Sequence, residues 1–261
     1  MIPTKASTDL KNIARRQLAD YDAHRPGTVF SDPDFKLTLA EAYQVQILVA
    51  GLRESRGEAI AGYKVGCVSE AAQRQLGISE PIFGHLFASE AHRSGIALDA
   101  QSFDGLAIEG EFAFRLEEGS IGAAFAVIEL HNYVLRAPRA RRAEELIANN
   151  AMQAGVVLPA GEPSCNEPDD LLAETISVIR NSSVLGASHG RALPGGPIAS
   201  ITWLASRLRD FGRSLHRDQI VLTGSPLPLY PVTPGDRIEV TCSRLPAVNM
   251  TVSSGATRRA I

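Results

Sequence analysis

The residues best suited to chemistry in this chain are Glu109 and Glu111, set in the run Ala107-Ile108-Glu109-Gly110-Glu111-Phe112-Ala113-Phe114-Arg115. At a period of two, Ile108, Phe112 and Phe114 fall on one face of a strand, and Glu109, Glu111 and Arg115 fall on the other. Side chains at i and i+2 stand roughly 7 Å apart, so two carboxylates there can share one cation and repel each other without it. The same pattern describes the wet face of an amphipathic strand, and spacing alone leaves both readings open. One strand later, the run from Phe125 to Leu135 places Glu129, His131 and Tyr133 on one side. Upstream, Ala61 to Cys67 reads as a strand with Tyr63 and Val65 on one face and Lys64, between Gly62 and Gly66, on the other. A surface lysine on a strand would look the same, but bare backbone on both sides is what close approach of a ligand requires.

Three carboxylates, Glu109, Glu111 and Glu129, with no cysteine spacing to compete, make an oxygen-rich set suited to Mg²⁺ or Mn²⁺. Such ions keep positions open for water or for a bidentate oxo-acid, and would stabilise an enolate when a base takes the α-proton. Lys64 is the candidate for that base, or for the acid that returns the proton, with its pKa expected to fall through burial and a nearby dication.

The elements that must position these groups change character along the chain. Leu10, Ile13, Ala14 and Leu18 predict an amphipathic helix after Thr8-Asp9 that ends before Pro26-Gly27. Thr38-Leu39-Ala40-Glu41 is a capping box opening a second helix to about Gly57. Residues 1–58 therefore read as a helical cap and 59–261 as a largely β body, built of short runs broken by Gly and Pro rather than a regular β-α alternation. Within that body, Ser69 to Leu76, Arg139 to Ile147 and Pro197 to Arg213 read as helices. Strands are expected at 81–87, 156–158, 175–180, 183–185, 219–223, 237–242 and 249–252, with Glu117-Glu118-Gly119, Asn181-Ser182 and Thr233 to Asp236 as turns.

Twenty-six basic against twenty-nine acidic residues, with no Lys/Arg run beyond pairs, favour neither nucleic acid nor an anionic membrane. A small molecule or another copy of the chain is the expected partner. Cys67, Cys165 and Cys242 are odd in number and share no ligand spacing, which fits a reducing compartment. No signal-like apolar segment opens the sequence and no run of about eighteen apolar residues occurs, so a soluble cytoplasmic protein is expected. Gly186-Ala187-Ser188-His189-Gly190 matches a nucleophile elbow, with Asp210 and His216 in triad order. The residues from Arg191 to Pro197 nevertheless separate it from the next helix, and the elbow chemistry needs a strand passing straight into a helix.

Several segments resemble the 2-oxopent-4-enoate hydratase and 4-oxalocrotonate decarboxylase group of the fumarylacetoacetate hydrolase superfamily. They are Leu39 to Gln46, Gly62-Tyr63-Lys64-Val65-Gly66, Gln75-Leu76-Gly77 through Pro81 with Phe83-Gly84, the Glu-x-Glu strand, Asn150-Ala151 before Ala154-Gly155, Val221 to Ser225, Pro231-Val232 and Pro234-Gly235-Asp236. The resemblance spans roughly residues 35 to 240 and implies an α+β fold: a mixed β-sandwich roll with peripheral helices. It also implies Mg²⁺ or Mn²⁺ on Glu109, Glu111 and Glu129, Lys64 in acid-base work, and Gly62, Asn150, Thr223 and Ser225 in segments lining a pocket for a small 2-oxo acid. The activity expected is hydration of a 2-oxo-4-alkenoate in aromatic catabolism. A decarboxylase, an acylpyruvate C–C hydrolase and a non-catalytic partner of a hydratase-decarboxylase complex are the alternatives, and a homo-oligomer is expected. Two departures stand out: Ile82 replaces an acidic residue of the group's pattern, and Leu130-His131-Asn132-Tyr133 replaces an Asp-containing stretch, which gives His131 a candidate catalytic role.

Overall fold

Thr38 accepts the backbone N–H of Glu41 at 3.2 Å and Glu41 accepts that of Thr38 at 2.8 Å, so the capping box starts a helix where its residues require one. The computed structural model describes residues 5–24, 28–32, 34–118, 120–132, 143–161 and 171–255. Its helices are α1 (Lys5–Asp22), α2 (Leu39–Ser55), α3 (Glu70–Leu76), α4 (Ala143–Ala148) and α5 (Pro197–Arg209). Its strands are β1 (Ile60–Gly66), β2 (Ile82–Phe87), β3 (Ala91–Arg93), β4 (Ile96–Asp99), β5 (Leu106–Glu117), β6 (Ser120–Asn132), β7 (Gln153–Leu158), β8 (Thr175–Arg180), β9 (Ser183–His189), β10 (Ile220–Leu222), β11 (Tyr230–Pro231), β12 (Arg237–Cys242) and β13 (Val248–Ser253).

One mixed sheet runs β2-β1-β10-β5-β6-β7-β3, with β11 added to β5, and a second runs β4-β13-β12-β8-β9. The long β5–β6 hairpin is its centre: Glu109 lies opposite Glu129 and Glu111 opposite Val127. Alternation then decides what each face carries. Ile108, Gly110, Phe112 and Phe114 turn toward the second sheet, and a Cβ on Gly110 would come 2.7 Å from Val178 and 3.2 Å from Val240. The glycine between the two glutamates is thus what lets the sheets close. The opposite, concave face of β5, β6 and their neighbours carries a separate apolar cluster of Leu86, Ala113, Phe125, Val127, Val156, Leu158, Ile220 and Leu222. Two pieces of side-chain bonding fasten the helices to this body. Buried Gln46 on α2 donates to the carbonyls of Phe83 and Ile147 at 2.9 and 2.8 Å. Arg53 pairs with Glu58 and Glu90 while stacking on Phe87.

Several boundaries differ from the sequence reading. Helix α1 begins at Lys5, ahead of Thr8-Asp9. Strand β6 starts five residues before Phe125 and is described to Asn132 only, so Tyr133 lies outside the described residues, as do Gly119, Pro26-Gly27 and residues 139–142 of the expected fourth helix. Strand β9 continues to His189, carrying Ser188 within a strand. Helix α5 starts at Pro197, Asp210 pairs with Arg207 at 3.0 Å and His216 stands against Ser214 at 3.3 Å, so the elbow motif assembles no triad. No helix of the described residues is long and apolar enough to cross a membrane.

Candidate metal and acid-base site

The five charged groups singled out in the sequence converge on the concave face. Lys64 Nζ lies 3.1 Å from Glu129 Oε1, and His131 Nε2 lies 3.2 Å from Glu129 Oε2 and 3.1 Å from Glu109 Oε2. Glu111 leans on the Glu129 carboxyl and accepts the Gly224 backbone N–H at 2.9 Å. Lys64, Glu111, Glu129 and His131 are all buried, while Glu109 keeps 20% of its side-chain surface open and marks the mouth of the site. The wet-face reading of the Glu-x-Glu strand is therefore replaced by a buried cluster over an apolar floor.

Burial and crowding set the proton inventory. Burial, then the charges of Glu129 and Glu109, push the Glu111 carboxyl well above its ordinary range. For Glu129 burial acts upward too, but the adjacent His131 and Lys64 outweigh it and hold the group ionised. His131 is opposed by burial and Lys64 yet raised to about 9 by Glu129 and Glu109. For Lys64 burial pulls down and three carboxylates pull up more strongly, so its pKa is raised. The expected lowering of Lys64 is thereby corrected for the metal-free chain, because Glu129, Glu109 and Glu111 all face it.

A divalent ion fits what these residues leave unsatisfied. Donor atoms of Glu109, Glu129 and His131 lie within 4.8 Å of one another. Both oxygens of Glu129 and the Nδ1 of His131 are buried without a well-directed hydrogen bond. Oxygen donors with one imidazole suit Mg²⁺ or Mn²⁺, and His131 joins the candidate ligands on proximity alone.

The remaining predicted residues frame the cluster through backbone. A Cβ on Gly62, at φ +155, would sit 1.9 Å from the Ile220 carbonyl, so this glycine lets β1 and β10 approach. Asn150 accepts the His85 N–H at 2.7 Å and donates to the His85 carbonyl at 2.9 Å, imitating a strand partner for β2. It opens three consecutive left-handed residues, Asn150, Ala151 and Met152, at φ 55, 54 and 60. Thr223 donates to the Phe112 carbonyl at 2.9 Å and Ser225 to the Gly110 carbonyl at 3.0 Å, which ties their loop along β5 and aims the Gly224 N–H at Glu111. That Gly224 contact was missed by residue-type reasoning, since a backbone donor leaves no signature beyond the glycine itself.

No family model matches the sequence. Over 204 residues the chain is 32% identical to the 2-keto-4-pentenoate hydratase of Burkholderia vietnamiensis (strain G4 / LMG 22486), covering 73% of this chain and 77% of the relative. It is 28% identical over 236 residues to the 4-oxalocrotonate decarboxylase of Pseudomonas sp. (strain CF600), covering 85% and 88%. The solved 4-oxalocrotonate decarboxylase from Pseudomonas putida G7, complexed with magnesium and adipate, superposes with a TM-score of 0.85 at 24% identity, covering 94% of this chain and 97% of that one. Curled mixed sheet, N-terminal helices and inward acidic cluster together define an α+β protein of the fumarylacetoacetate hydrolase type. Within that superfamily the chain belongs to the hydratase/4-oxalocrotonate decarboxylase group.

Proposed function

We propose that this chain is a divalent-metal-dependent hydro-lyase that adds water to a 2-oxo-4-alkenoate, of the 2-hydroxypenta-2,4-dienoate kind, in the catabolism of aromatic compounds. The observation that carries the reading is the Lys64 ammonium, 3.1 Å from a buried Glu129 whose two oxygens lack a well-directed hydrogen bond, with Glu109 and Glu111 beside it. Relatives named as hydratases supply the choice of reaction.

In this reading Glu109, Glu111 and Glu129 hold Mg²⁺ or Mn²⁺, with His131 bracing Glu109 and Glu129. When bound, the ion supplies positive charge opposite the carboxylate and 2-oxo oxygens of the substrate. With the charge of Glu109, Glu111 and Glu129 taken up by an ion, Lys64 would carry the proton of the reaction: as the amine it would take one from C3 and as the ammonium deliver it to C5, after which water would add its hydroxyl at C4 and its proton at C3. Burial lets Lys64 and the carboxylates interact with little solvent screening, and the floor of Leu86, Val127 and Leu222 keeps bulk water away from the carbon chain. Gly62, Asn150, Thr223 and Ser225 shape the substrate's space by holding backbone in place, since the side chains of the last three are spent on main-chain partners.

The test is turnover of a panel of 2-oxo acids with Mg²⁺ and with EDTA, reading products by NMR. Formation of a 4-hydroxy-2-oxo acid that stops with EDTA is expected. Release of CO₂ from a vinylogous 2-oxo diacid without hydration would replace the hydratase by a decarboxylase. The variant Lys64→Met is expected to keep the metal while losing deuterium uptake at C3 of a 2-oxo acid, and unchanged uptake would remove Lys64 from the proton path.

A further inference from the structure

We infer that His131 binds the divalent ion directly through Nε2, and that this nitrogen shifts the site's preference from Mg²⁺ toward a first-row transition ion, Mn²⁺ or Co²⁺; the inference rests on the metal-dependent reading above and deepens it. Register brings the donors together. Glu129 lies opposite Glu109 in the β5–β6 hairpin, and His131, two residues on, shares the face of Glu129. His131 Nε2 stands 3.1 Å from Glu109 Oε2 and 3.2 Å from Glu129 Oε2. Ligands about 2.0–2.1 Å from an octahedral ion lie about 3.0 Å from their neighbours in the shell. Both separations therefore match edges of such a shell. A proton on Nε2 makes the same contacts in the metal-free chain, and an ion at that focus takes its place.

The partners of each group decide which atoms are left for the ion. Nδ1 of His131 is buried without a well-directed hydrogen bond, so what sits at Nε2 orients this ring, itself 3% exposed. A neutral imidazole that turned its lone pair on two carboxylates would be repelled unless a cation lay between them. Glu129 divides its oxygens, Oε1 toward Lys64 at 3.1 Å and Oε2 toward His131, so coordination through Oε2 leaves the Lys64 pair in place. Glu111 gives its Oε2 to the Gly224 amide at 2.9 Å and stands outside the three residues whose donor atoms all lie within 4.8 Å of one another. It serves as a further donor, and His131 is the better placed of the two. Mg²⁺ favours an all-oxygen shell and gives up water reluctantly, whereas affinity for mixed nitrogen and oxygen donors rises from Mn²⁺ to Co²⁺.

The experiment strips the whole chain with EDTA, reloads it with Mn²⁺ and records pulsed EPR on wild type and His131→Gln, with a parallel sample whose histidines carry the heavy nitrogen isotope. Titration calorimetry with Mg²⁺, Mn²⁺ and Co²⁺ gives the affinities, and thermal melts verify folding. The wild type is expected to show coupling to a directly bound nitrogen that changes with the histidine label and is lost in His131→Gln. Its preference for Co²⁺ over Mg²⁺ is expected to fall by about tenfold or more in the variant, with Mn²⁺ between them. Affinity alone does not separate a ligand from a brace, because removing either weakens binding; the coupling does. Bound Mn²⁺ without a nitrogen coupling, or a coupling that survives in His131→Gln, overturns the ligand role of His131. An unaltered ranking of the three ions in the folded variant overturns the preference, and failure of all three to bind overturns the inference together with the metal-dependent reading. A label-sensitive coupling in a protein that turns over no 2-oxo acid sustains the inference and strikes only the hydro-lyase reading.

Discussion

Loading the metal-free chain with Mg²⁺ or Mn²⁺ should expel protons, and the number can be worked from the cluster. Glu111 is pushed toward its protonated form by burial and by Glu129 and Glu109, so an ion that takes this carboxylate displaces whatever proton it holds. His131, raised to about 9, is roughly 99% protonated at pH 7, and a dication beside it opposes that charge and competes for the ring. Up to one proton leaves from Glu111, and another where His131 gives up its own. Because protons compete with the metal, affinity should weaken on acidification, about tenfold per pH unit for one proton and about a hundredfold for two. The dependence on His131 should vanish only above its folded-state pKa of about 9, where the ring is already neutral. Isothermal titration at pH 7 in two buffers of different ionisation enthalpy counts the protons, and titrations from pH 6 to 8.5 give the slope. The variant Glu111→Gln should release one proton fewer if it still binds. Binding that expels no protons and is indifferent to pH would refute the proton inventory and with it the placing of the ion among these carboxylates.

Two further substitutions separate backbone roles from chemical ones. Gly62→Ala sets a Cβ 1.9 Å from the Ile220 carbonyl at a φ of +155, so it should cost about 3 kcal/mol or more and lower Tm by roughly 6–12 °C, read by calorimetry. A stable, inactive variant would instead mean that the glycine acts on substrate. Asn150→Ala removes both bonds to His85 and leaves three left-handed residues without their clamp, so a loss of about 2–3 kcal/mol is expected in denaturant melts, and an unchanged midpoint would deny the clamp.

The acidic trio was legible because alternation alone sorts Glu109 and Glu111 onto one face of β5 and Glu129 and His131 onto one face of β6. What alternation does not contain is register: that Glu129 falls opposite Glu109 is fixed by the long hairpin, and that Lys64 reaches Glu129 depends on β10 lying between β1 and β5. The three carboxylates that raise the Lys64 pKa against the lowering by burial were hidden for the same reason, since a lysine between glycines gives no sign of them. Thr223 and Ser225 were expected in a segment lining the pocket; their hydroxyls hold main chain, and the Gly224 amide between them makes the contact with Glu111. Helix α2 was readable from its capping box, whereas β9 ran on to His189 because its pairing with β8, from Thr175 to Arg180, extends over the whole of that strand.

Gly110 has a consequence for how such a site can change. Its two neighbours in sequence, Glu109 and Glu111, reach the cluster, while its own missing side chain is the point where Val178 and Val240 of the other sheet press closest. The spacing between those two oxygen donors is thus clamped from behind by aliphatic contacts on the far side of the backbone. Exchanges at Val178 or Val240, remote from any substrate, would act as a fine adjustment screw on both carboxylates at once, and affinity for the ion could drift through packing without any ligand being altered.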